Sequence, residues 1–229
     1  MFVSRSMSEN VITISPRSTL AEAESLMAKH RIRHLPVVGE DGRLTGIITD
    51  RDLRSAMPSS LCEPEEVSQA LEKCRNTAVE RVMTKNVVTL SVSHTVQDAL
   101  LLIQSHKVGA LPVVDEDNRL LGIVSVRDLL ASFISVMGIG DPGALLCILA
   151  EHKMGEIKKI VDILTEENVF IGSILVSRHW EGDKRAVFPY VHTINVAGVK
   201  KRLSAAGFTL VDPTTWYMEN LGRKRKEQP

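Results

Sequence analysis

The octamer GIITDRDL occupies residues 46–53, and a near copy, GIVSVRDL, occupies residues 122–129. Each copy carries a hydroxyl three residues before an aspartate. Extending the comparison outward at the same spacing of 76 residues aligns residues 3–53 with 79–129 without a gap, and 24 of the 51 positions are identical. Identity at this level indicates an internal duplication, and the duplication decides the fold.

Each copy contains the same order of predicted elements. In the first copy, VITI (11–14) predicts a strand, and an amphipathic helix follows it. LPVV (35–38) and LTGII (44–48) predict two strands of a hairpin, and a second helix starts near Asp50. The predicted unit is therefore β-α-β-β-α. A unit of about 50 residues is too small to bury both faces of a sheet alone, so the two copies are expected to pack together.

The composition is that of an ordinary globular protein. Of 229 residues, 44% are hydrophobic and 24% charged, and the formal net charge is zero, which gives no general attraction to nucleic acid or acidic membranes. The sequence contains no apolar run of about 18 residues, and the N-terminus lacks the apolar stretch of a secretory signal. Three cysteines without a C-x-x-C pair suggest neither a disulfide framework nor a metal site. These features predict a cytoplasmic protein.

The hydroxyl and the aspartate of each octamer would lie on one side of the first helical turn. Asp52 and Asp128 could accept hydrogen bonds from the two hydroxyls of a ribose, and the hydroxyls of Thr49 and Ser125 could donate to a phosphate. An arginine directly before each aspartate could pair with phosphate as a bidentate fork. The same spacing is also an ordinary helix cap, so a purely structural role remains the alternative.

The two copies resemble a tandem pair of CBS domains, a Bateman module, over about residues 1–137. The most specific match is the pattern G-h-x-[S/T]-x-x-D at 46–52 and 122–128. The resemblance implies that an adenosyl compound (AMP, ADP, ATP or S-adenosylmethionine) binds in clefts between the copies. The expected nucleotide-binding residues are Ile12, Thr13, His34, Leu35, Pro36, Thr49, Arg51, Asp52, Val88, Thr89, Ala110, Leu111, Pro112, Ser125, Arg127 and Asp128.

The copies differ at positions near these clefts. Arg33 and His34 of the first copy correspond to Gly109 and Ala110 of the second. The first copy should therefore give a more basic and more crowded site. Asp50 corresponds to Val126, and its carboxylate should oppose a polyphosphate.

The last third of the chain has a different pattern, β-α-β-β-α-β, which is a ferredoxin-like order. It resembles an ACT domain, a small regulatory domain that often pairs side by side and binds amino acids. The first turn of that family corresponds to residues 152–155 here, and only its glycine is present. Met154 and Gly155, at the end of this turn, are the expected amino-acid-binding residues. A dimerising or scaffolding role is the alternative. The expected division of the chain is a first CBS domain at 1–57, a connecting helix at 58–76, a second CBS domain at 77–137, a linker at 138–143, the ACT-like domain at 144–215 and a basic tail at 216–229.

The predicted function is that of a non-enzymatic sensor. The sequence has no H-E-x-x-H, G-x-S-x-G or Walker pattern, and no Cys/His cluster with metal spacing. A CBS pair followed by an ACT domain resembles the acetoin-utilisation AcuB group. We expect a homodimer that needs no cofactor, binds a nucleotide, transmits the signal through dimer and ACT-domain packing, and acts on an unknown protein partner, with no nucleic acid or membrane. Two alternatives are a constitutive dimeric adaptor with vestigial pockets and an amino-acid sensor.

Overall fold

The computed structural model describes residues 1–57, 64–177, 180 and 182–216. These residues form two compact units, of which the first spans Met1–Ala131 and the second begins at Ser132. Residues 58–63, the first six of the predicted connecting helix, lie outside the described residues, as does the predicted basic tail from residue 217 onward.

The first unit contains the two copies, and each copy supplies a helix, an antiparallel hairpin and a second helix. Short 3₁₀ helices, Val3–Arg5 and Val79–Arg81, precede them. The predicted hairpins are confirmed: β1 pairs with β2 and β3 with β4, each with a register shift at the same valine pair, Val37/Val38 and Val113/Val114. The elements are α1 (Leu20–His30), β1 (His34–Val38), β2 (Leu44–Thr49), α2 (Asp50–Ala56), α3 (Pro64–Arg75), α4 (Val96–His106), β3 (Ala110–Val114), β4 (Leu120–Ser125) and α5 (Val126–Met137).

The strand predicted at the start of each copy is wrong, so the repeat is not a full β-α-β-β-α unit. Only Ile14 forms a parallel bridge, with Val37, and Leu90 does the same with Val113. Ile14 N donates to Pro36 O at 3.1 Å, and Leu90 N donates to Pro112 O at 2.9 Å. In each copy, the next backbone hydrogen bond of this pairing toward the N-terminus would need an N–H from the same proline, Pro36 or Pro112. Proline has none, so the pairing stops after one residue.

The two copies exchange their first segments. Val3 N donates to His94 O at 2.9 Å, and Ser8 exchanges two hydrogen bonds with Ile123, so residues 3–8 pair with the second copy. In the same way Thr84 exchanges two hydrogen bonds with Ile47 of the first copy. Val79 is fully buried within the core of the first copy. The hydrophobic core of the first copy is therefore completed by a segment that the sequence alignment assigns to the second copy.

In the second unit, the helices Glu156–Glu166 and Ala197–Ala205 pack against one antiparallel sheet. The segment 138–143 contains turns and bends. Its end is held by Tyr190, whose hydroxyl donates to Asp141 O, and by Ser173, whose hydroxyl donates to Met137 O at 3.0 Å. The elements are β5 (Ala144–Leu145), β6 (Ile148–Glu151), α6 (Glu156–Glu166), β7 (Ile171–Val176), β8 (Lys184–Val191), α7 (Ala197–Ala205) and β9 (Thr209–Leu210).

The sheet of the second unit confirms the ferredoxin-like order of elements. β8 lies between β7 on one side and β5 with β6 on the other, and β6 also pairs with β9. The first strand of this order is divided into β5 and β6, opposite Pro189 of β8, because that proline has no N–H to give. Pro189 lies inside β8, which is continuous and central. A proline in a strand suggests either an edge position or a bulge. The edge position is wrong here, and the pairing with β7 has a register shift next to Pro189.

Candidate functional site

Two cavities lie between the copies of the first unit, with volumes of about 450 and 400 Å³. We call them the Asp128 cleft and the Asp52 cleft. The Asp128 cleft is lined by Ser8, Asn10, Val11, Ile12, Arg31, Ile32, Arg33, His34, Gly109, Ala110, Ile123, Ser125, Val126, Arg127 and Asp128. The Asp52 cleft is lined by Arg33, His34, Ile47, Thr49, Asp50, Arg51, Asp52, Arg54, Thr84, Asn86, Val87, Val88, Lys107, Val108, Gly109 and Ala110.

Each cleft combines the strand-to-helix junction of one copy with the opening segment of the other. The Asp128 cleft takes the junction of β4 and α5 together with residues 8–12. That combination follows from the exchange of first segments, because the two hydrogen bonds between Ser8 and Ile123 hold residue 8 against β4. The Asp52 cleft is built in the same way from β2, α2 and residues 84–88.

The hydroxyl and the carboxylate of each octamer form a helix cap. Thr49 Oγ1 donates to Asp52 Oδ2 at 2.7 Å, and Asp52 N donates back to Thr49 Oγ1 at 3.3 Å. Ser125 and Asp128 repeat this geometry at 2.6 and 3.4 Å. The hydroxyl protons are therefore directed at the aspartates, and the expected hydrogen bond to phosphate would require that arrangement to open.

A third cap of the same kind lies outside both clefts. Thr95 Oγ1 donates to Asp98 Oδ2 at 2.7 Å at the start of α4. This hydrogen bond holds the pKa of the Asp98 carboxyl below its ordinary value. The motif itself is thus structural wherever it occurs, and only its position in a cleft gives Asp52 and Asp128 a second possible role. That role falls to Oδ1, which makes no hydrogen bond within the described residues.

Positive side chains outnumber carboxylates in both clefts. Among the described residues, the Asp128 cleft has three arginines and one carboxylate, and the Asp52 cleft has three arginines, one lysine and two carboxylates. In the Asp52 cleft, Arg54 Nη2 lies 3.0 Å from Asp50 Oδ2, so this pair is largely neutralised. The surplus of cations favours a ligand with a negative group.

His34 lies in the wall that the two clefts share, next to Gly109. A Cβ at residue 109 would lie 2.7 Å from His34 Nε2, so the ring occupies space that any other residue would fill. Burial lowers the pKa of His34 most, and Arg33 lowers it further, while Asp50 and Asp52 act in the opposite direction. The imidazole is therefore kept neutral to a lower pH than an exposed histidine.

The structure brings ten of the sixteen expected nucleotide-binding residues to the clefts. Of the other six, Leu35 and Leu111 are fully buried, and the carbonyls of Pro36 and Pro112 accept hydrogen bonds within the fold. Those two carbonyls are therefore engaged. Thr13 and Thr89 line neither cleft. The residues in the clefts are Ile12, His34, Thr49, Arg51, Asp52, Val88, Ala110, Ser125, Arg127 and Asp128.

Several residues that line the clefts were missed by the sequence reasoning. Asn10 and Asn86 occupy matching positions in the two clefts, and each is followed by valine. A sequence signal existed, because this Asn-Val pair recurs at the repeat spacing. Arg31 and Lys107 also match, and both end a helix in the left-handed conformation at φ 53° and 54°.

The two expected amino-acid-binding residues lie at the turn before α6. Met154 is fully exposed, and Gly155 adopts φ 88° as the N-cap of the helix, with nothing within 4 Å of the position of a Cβ. Glu151 pairs with Lys153, and Glu156 pairs with Lys159. Two carboxylates beside the turn do not favour a ligand carboxylate, and amino-acid binding here stays a prediction.

The described part of the chain contains no group of three or more His, Cys, Asp or Glu side chains placed to hold a metal ion. None of its helices combines the length and the apolar character needed to cross a membrane.

Comparisons with known proteins match the first unit. The CBS domain family model matches residues 3–59 and 79–135. A CBS domain-containing protein of Dictyostelium discoideum is 41% identical over 137 residues, which is 60% of this chain and 94% of that protein. The inosine-5'-monophosphate dehydrogenase of Methanocaldococcus jannaschii is 38% identical over 122 residues, which is 53% of this chain. The chain spans 21% of the length of that dehydrogenase.

Solved structures are similar over the same part of the chain. An AcuB structure from Vibrio cholerae, assigned to acetoin utilization, is 28% identical and has a TM-score of 0.50, covering 61% of this chain and 95% of that chain. The CBS domain pair of protein MJ0100, solved with 5'-methylthioadenosine and S-adenosyl-L-methionine, is 29% identical and has a TM-score of 0.49, covering 58% of this chain and 95% of that chain. The family match and the similarity to the Dictyostelium protein over nearly all of its length show that this chain belongs to the CBS-domain proteins.

Proposed function

We propose that this chain is a non-enzymatic regulatory protein that binds adenosine phosphates in the Asp128 and Asp52 clefts. The observation that carries the proposal is the placement of a capping aspartate beside unbalanced arginines in two matching cavities. Cavities of 400–450 Å³ fall within the usual range of small-molecule sites.

The aspartate of each cleft is suited to a ribose. Its Oδ2 is held by the cap, so the carboxylate is fixed in orientation before any ligand arrives. Its Oδ1 is left to accept from a vicinal diol. Hydrogen bonds to a charged acceptor contribute about 1.5–3 kcal/mol each, which is enough to decide specificity for a ribose.

The remaining walls match a base and a phosphate. Apolar side chains in each cleft, such as Val11 and Ile12 or Val87 and Val88, offer surface to a planar base. The surplus arginines offer bidentate partners to phosphate oxygens. The same surplus disfavours the positive sulfonium and ammonium groups of S-adenosylmethionine. We therefore place adenosine phosphates first and S-adenosylmethionine second.

A route for regulation starts in the Asp128 cleft. Val126, Arg127 and Asp128 form the first turn of α5, and the last residues of this helix belong to the second unit. A ligand that contacts this turn therefore acts on an element that continues into the second unit. The ACT-like nature of that unit, the domain division at 57, 76, 137, 143 and 215, the cytoplasmic homodimer and the regulated protein partner belong to the proposal. A constitutive adaptor is the alternative function.

Isothermal titration of the full chain with AMP, ADP, ATP and S-adenosylmethionine tests the proposal. We expect saturable binding of an adenosine phosphate at two sites per chain, and a rise in melting temperature. A ligand at 100 times its dissociation constant stabilises the fold by about 2.7 kcal/mol. Asp52→Ala and Asp128→Ala should each weaken one site at least ten-fold.

Asp98→Ala is the matched control, because it removes the same kind of cap from a helix outside the clefts. All three variants should lose about 1 kcal/mol of folding stability through the lost cap. Only the two cleft variants should lose affinity. An absence of adenosine-phosphate binding, or equal affinities in all three variants, would overturn the proposed function in favour of the adaptor.

A further inference from the structure

The partition between the two clefts is asymmetric. Its four residues, Arg33, His34, Gly109 and Ala110, line both clefts. The duplication places Ala110 at the position that matches His34, and Gly109 at the position that matches Arg33. One copy thus contributes two large side chains to the shared wall, and the other contributes almost none.

Gly109 sets the position of the His34 ring. A Cβ at residue 109 would lie 2.7 Å from Nε2 and 2.9 Å from Cε1, both shorter than van der Waals contact. The imidazole therefore rests against the backbone of the second copy and fills the space that the missing side chain leaves. It has no room to move further toward Gly109.

Within the described residues the His34 imidazole makes no hydrogen bond, and its polar interactions are Coulombic, with Asp50, Arg33 and Asp52. A side chain that is held by packing alone can change rotamer when a ligand presses on it. Since both cavities border the ring, rotation out of one cleft moves it into the other.

We propose that His34 couples the two clefts, so that a ligand in one cleft weakens binding in the other. The inference rests on the proposed function, because it requires that both clefts take the same class of ligand. His34 is then a specificity-determining residue of the pair. The first ligand displaces the ring, and the displaced ring reduces the room and alters the charge of the second cleft.

The test measures how one cleft responds when the other is disabled. The full chain is titrated with AMP, and in parallel with ATP, to obtain a stronger and a weaker dissociation constant. The Asp→Ala substitution of the stronger cleft, Asp52→Ala or Asp128→Ala, then removes that site. The remaining site should bind at least five-fold more tightly than the weaker site of the wild type, which is the low end of measured coupling between sites.

The same comparison in a His34→Ala background separates the inference from the proposed function. This variant places alanine where the other copy has Ala110, and the coupling should fall below two-fold. If loss of the stronger site did not tighten the remaining site in the wild-type background, the role of His34 would be overturned. The same would follow if the coupling were unchanged in His34→Ala. Either result would leave the nucleotide sites standing. An absence of binding by either nucleotide would overturn the proposed function itself.

Gly109→Ala provides a second variant that does not remove the histidine. The added methyl group should push the ring into the clefts, so that AMP binds several-fold more weakly at both sites. The double variant Gly109→Ala/His34→Ala should recover most of that loss, because the alanine then fills an empty space. His30→Ala, which removes an exposed histidine outside the clefts, is the control and should leave both constants unchanged. A loss in Gly109→Ala that persists in the double variant would contradict a displaced ring.

Discussion

The Asp128 and Asp52 clefts have matching helix caps and differ in which charged side chains line them. Their caps agree within 0.1 Å in the two hydrogen bonds that bind each hydroxyl to its carboxylate. Asp50 stands in one cleft where Val126 stands in the other, and its carboxylate is paired with Arg54. The comparison shows which features a duplicated fold must keep, namely the caps and the hairpins. It also shows which features are open to divergence, namely the side chains that only a ligand would touch.

Arg33 gives the largest expected effect on this comparison, because it lines both clefts. Arg33→Ala should weaken ATP binding roughly ten-fold at both sites, which corresponds to about 1.4 kcal/mol. Arg127→Ala should weaken only the Asp128 cleft, and Arg51→Ala only the Asp52 cleft. Titration calorimetry with ATP resolves the two patterns.

A salt series supplies the control for Arg33→Ala. The loss should shrink as ionic strength rises, since the arginine is exposed and its charge is screened. A variant that weakened one cleft alone would show that Arg33 does not serve both sites, whatever its position in the shared wall.

Substitutions that swap the residue types at positions 50 and 126 should change ATP affinity less than Arg33→Ala does. Asp50→Val removes the carboxylate that opposes phosphate and releases Arg54, so the Asp52 cleft should bind ATP roughly three- to five-fold more tightly. A factor of this size matches the ~1 kcal/mol upper range for exposed charge pairs. Val126→Asp should have the reverse effect in the Asp128 cleft. Competition between ATP and adenosine measures the change that belongs to the phosphates.

Glu116→Gln is the control for this exchange. It removes an exposed charge from the turn between β3 and β4, away from the clefts, and should leave both constants unchanged. If Asp50→Val weakened ATP binding, the Asp50 carboxylate would have to favour the bound ligand. S-adenosylmethionine, the second-ranked ligand with positive groups, would then gain support.

The duplication and most of the elements could be predicted because they are encoded locally. Alternating apolar residues and turn residues predict the hairpins, and the octamers predict the starts of α2 and α5. The exchange of first segments could not be predicted. The alignment at 76 residues is the same whether Val79 packs on its own copy or, as observed, in the core of the other. Long-range packing therefore settles what the repeat pattern leaves open.

The candidate site could be predicted in part for a similar reason. Asp52 and Asp128 are recognisable from the octamers, but Thr95 and Asp98 show the same spacing and the same hydrogen bonds outside the clefts. Whether a cap faces a cavity depends on the partner segment, which local patterns do not show. Pro36 and Pro112 were expected among the nucleotide-binding residues. Their carbonyls accept hydrogen bonds from Ile14 and Leu90 instead, whose position follows from the bridge and not from the residue type.

The smallest expected effect is a pH dependence of the free energy of unfolding. Among the four residues of the partition, it comes from His34 alone. Burial, the largest cause, and Arg33 lower its pKa, while Asp50 and Asp52 raise it. Lys107 and Arg54, the latter paired with Asp50, also line the Asp52 cleft. In the unfolded chain His34 takes up a proton near pH 6.5, whereas the folded chain resists protonation until a lower pH.

The sign of the stability change follows from that difference. Well above pH 6.5 the imidazole is neutral in both states and contributes no pH dependence. As the pH falls below that value, the unfolded state binds the proton first, and the free energy of unfolding decreases until the folded state is protonated as well. Urea unfolding at pH 8, 6 and 5 should show this additional loss in the wild type. The loss should be absent in His34→Gln, which keeps a polar side chain that does not titrate. Since the second copy has Ala110 at the matching position, a loss that persisted in His34→Gln would have to come from outside the partition, and the asymmetry of the two clefts would then have no acid-dependent component.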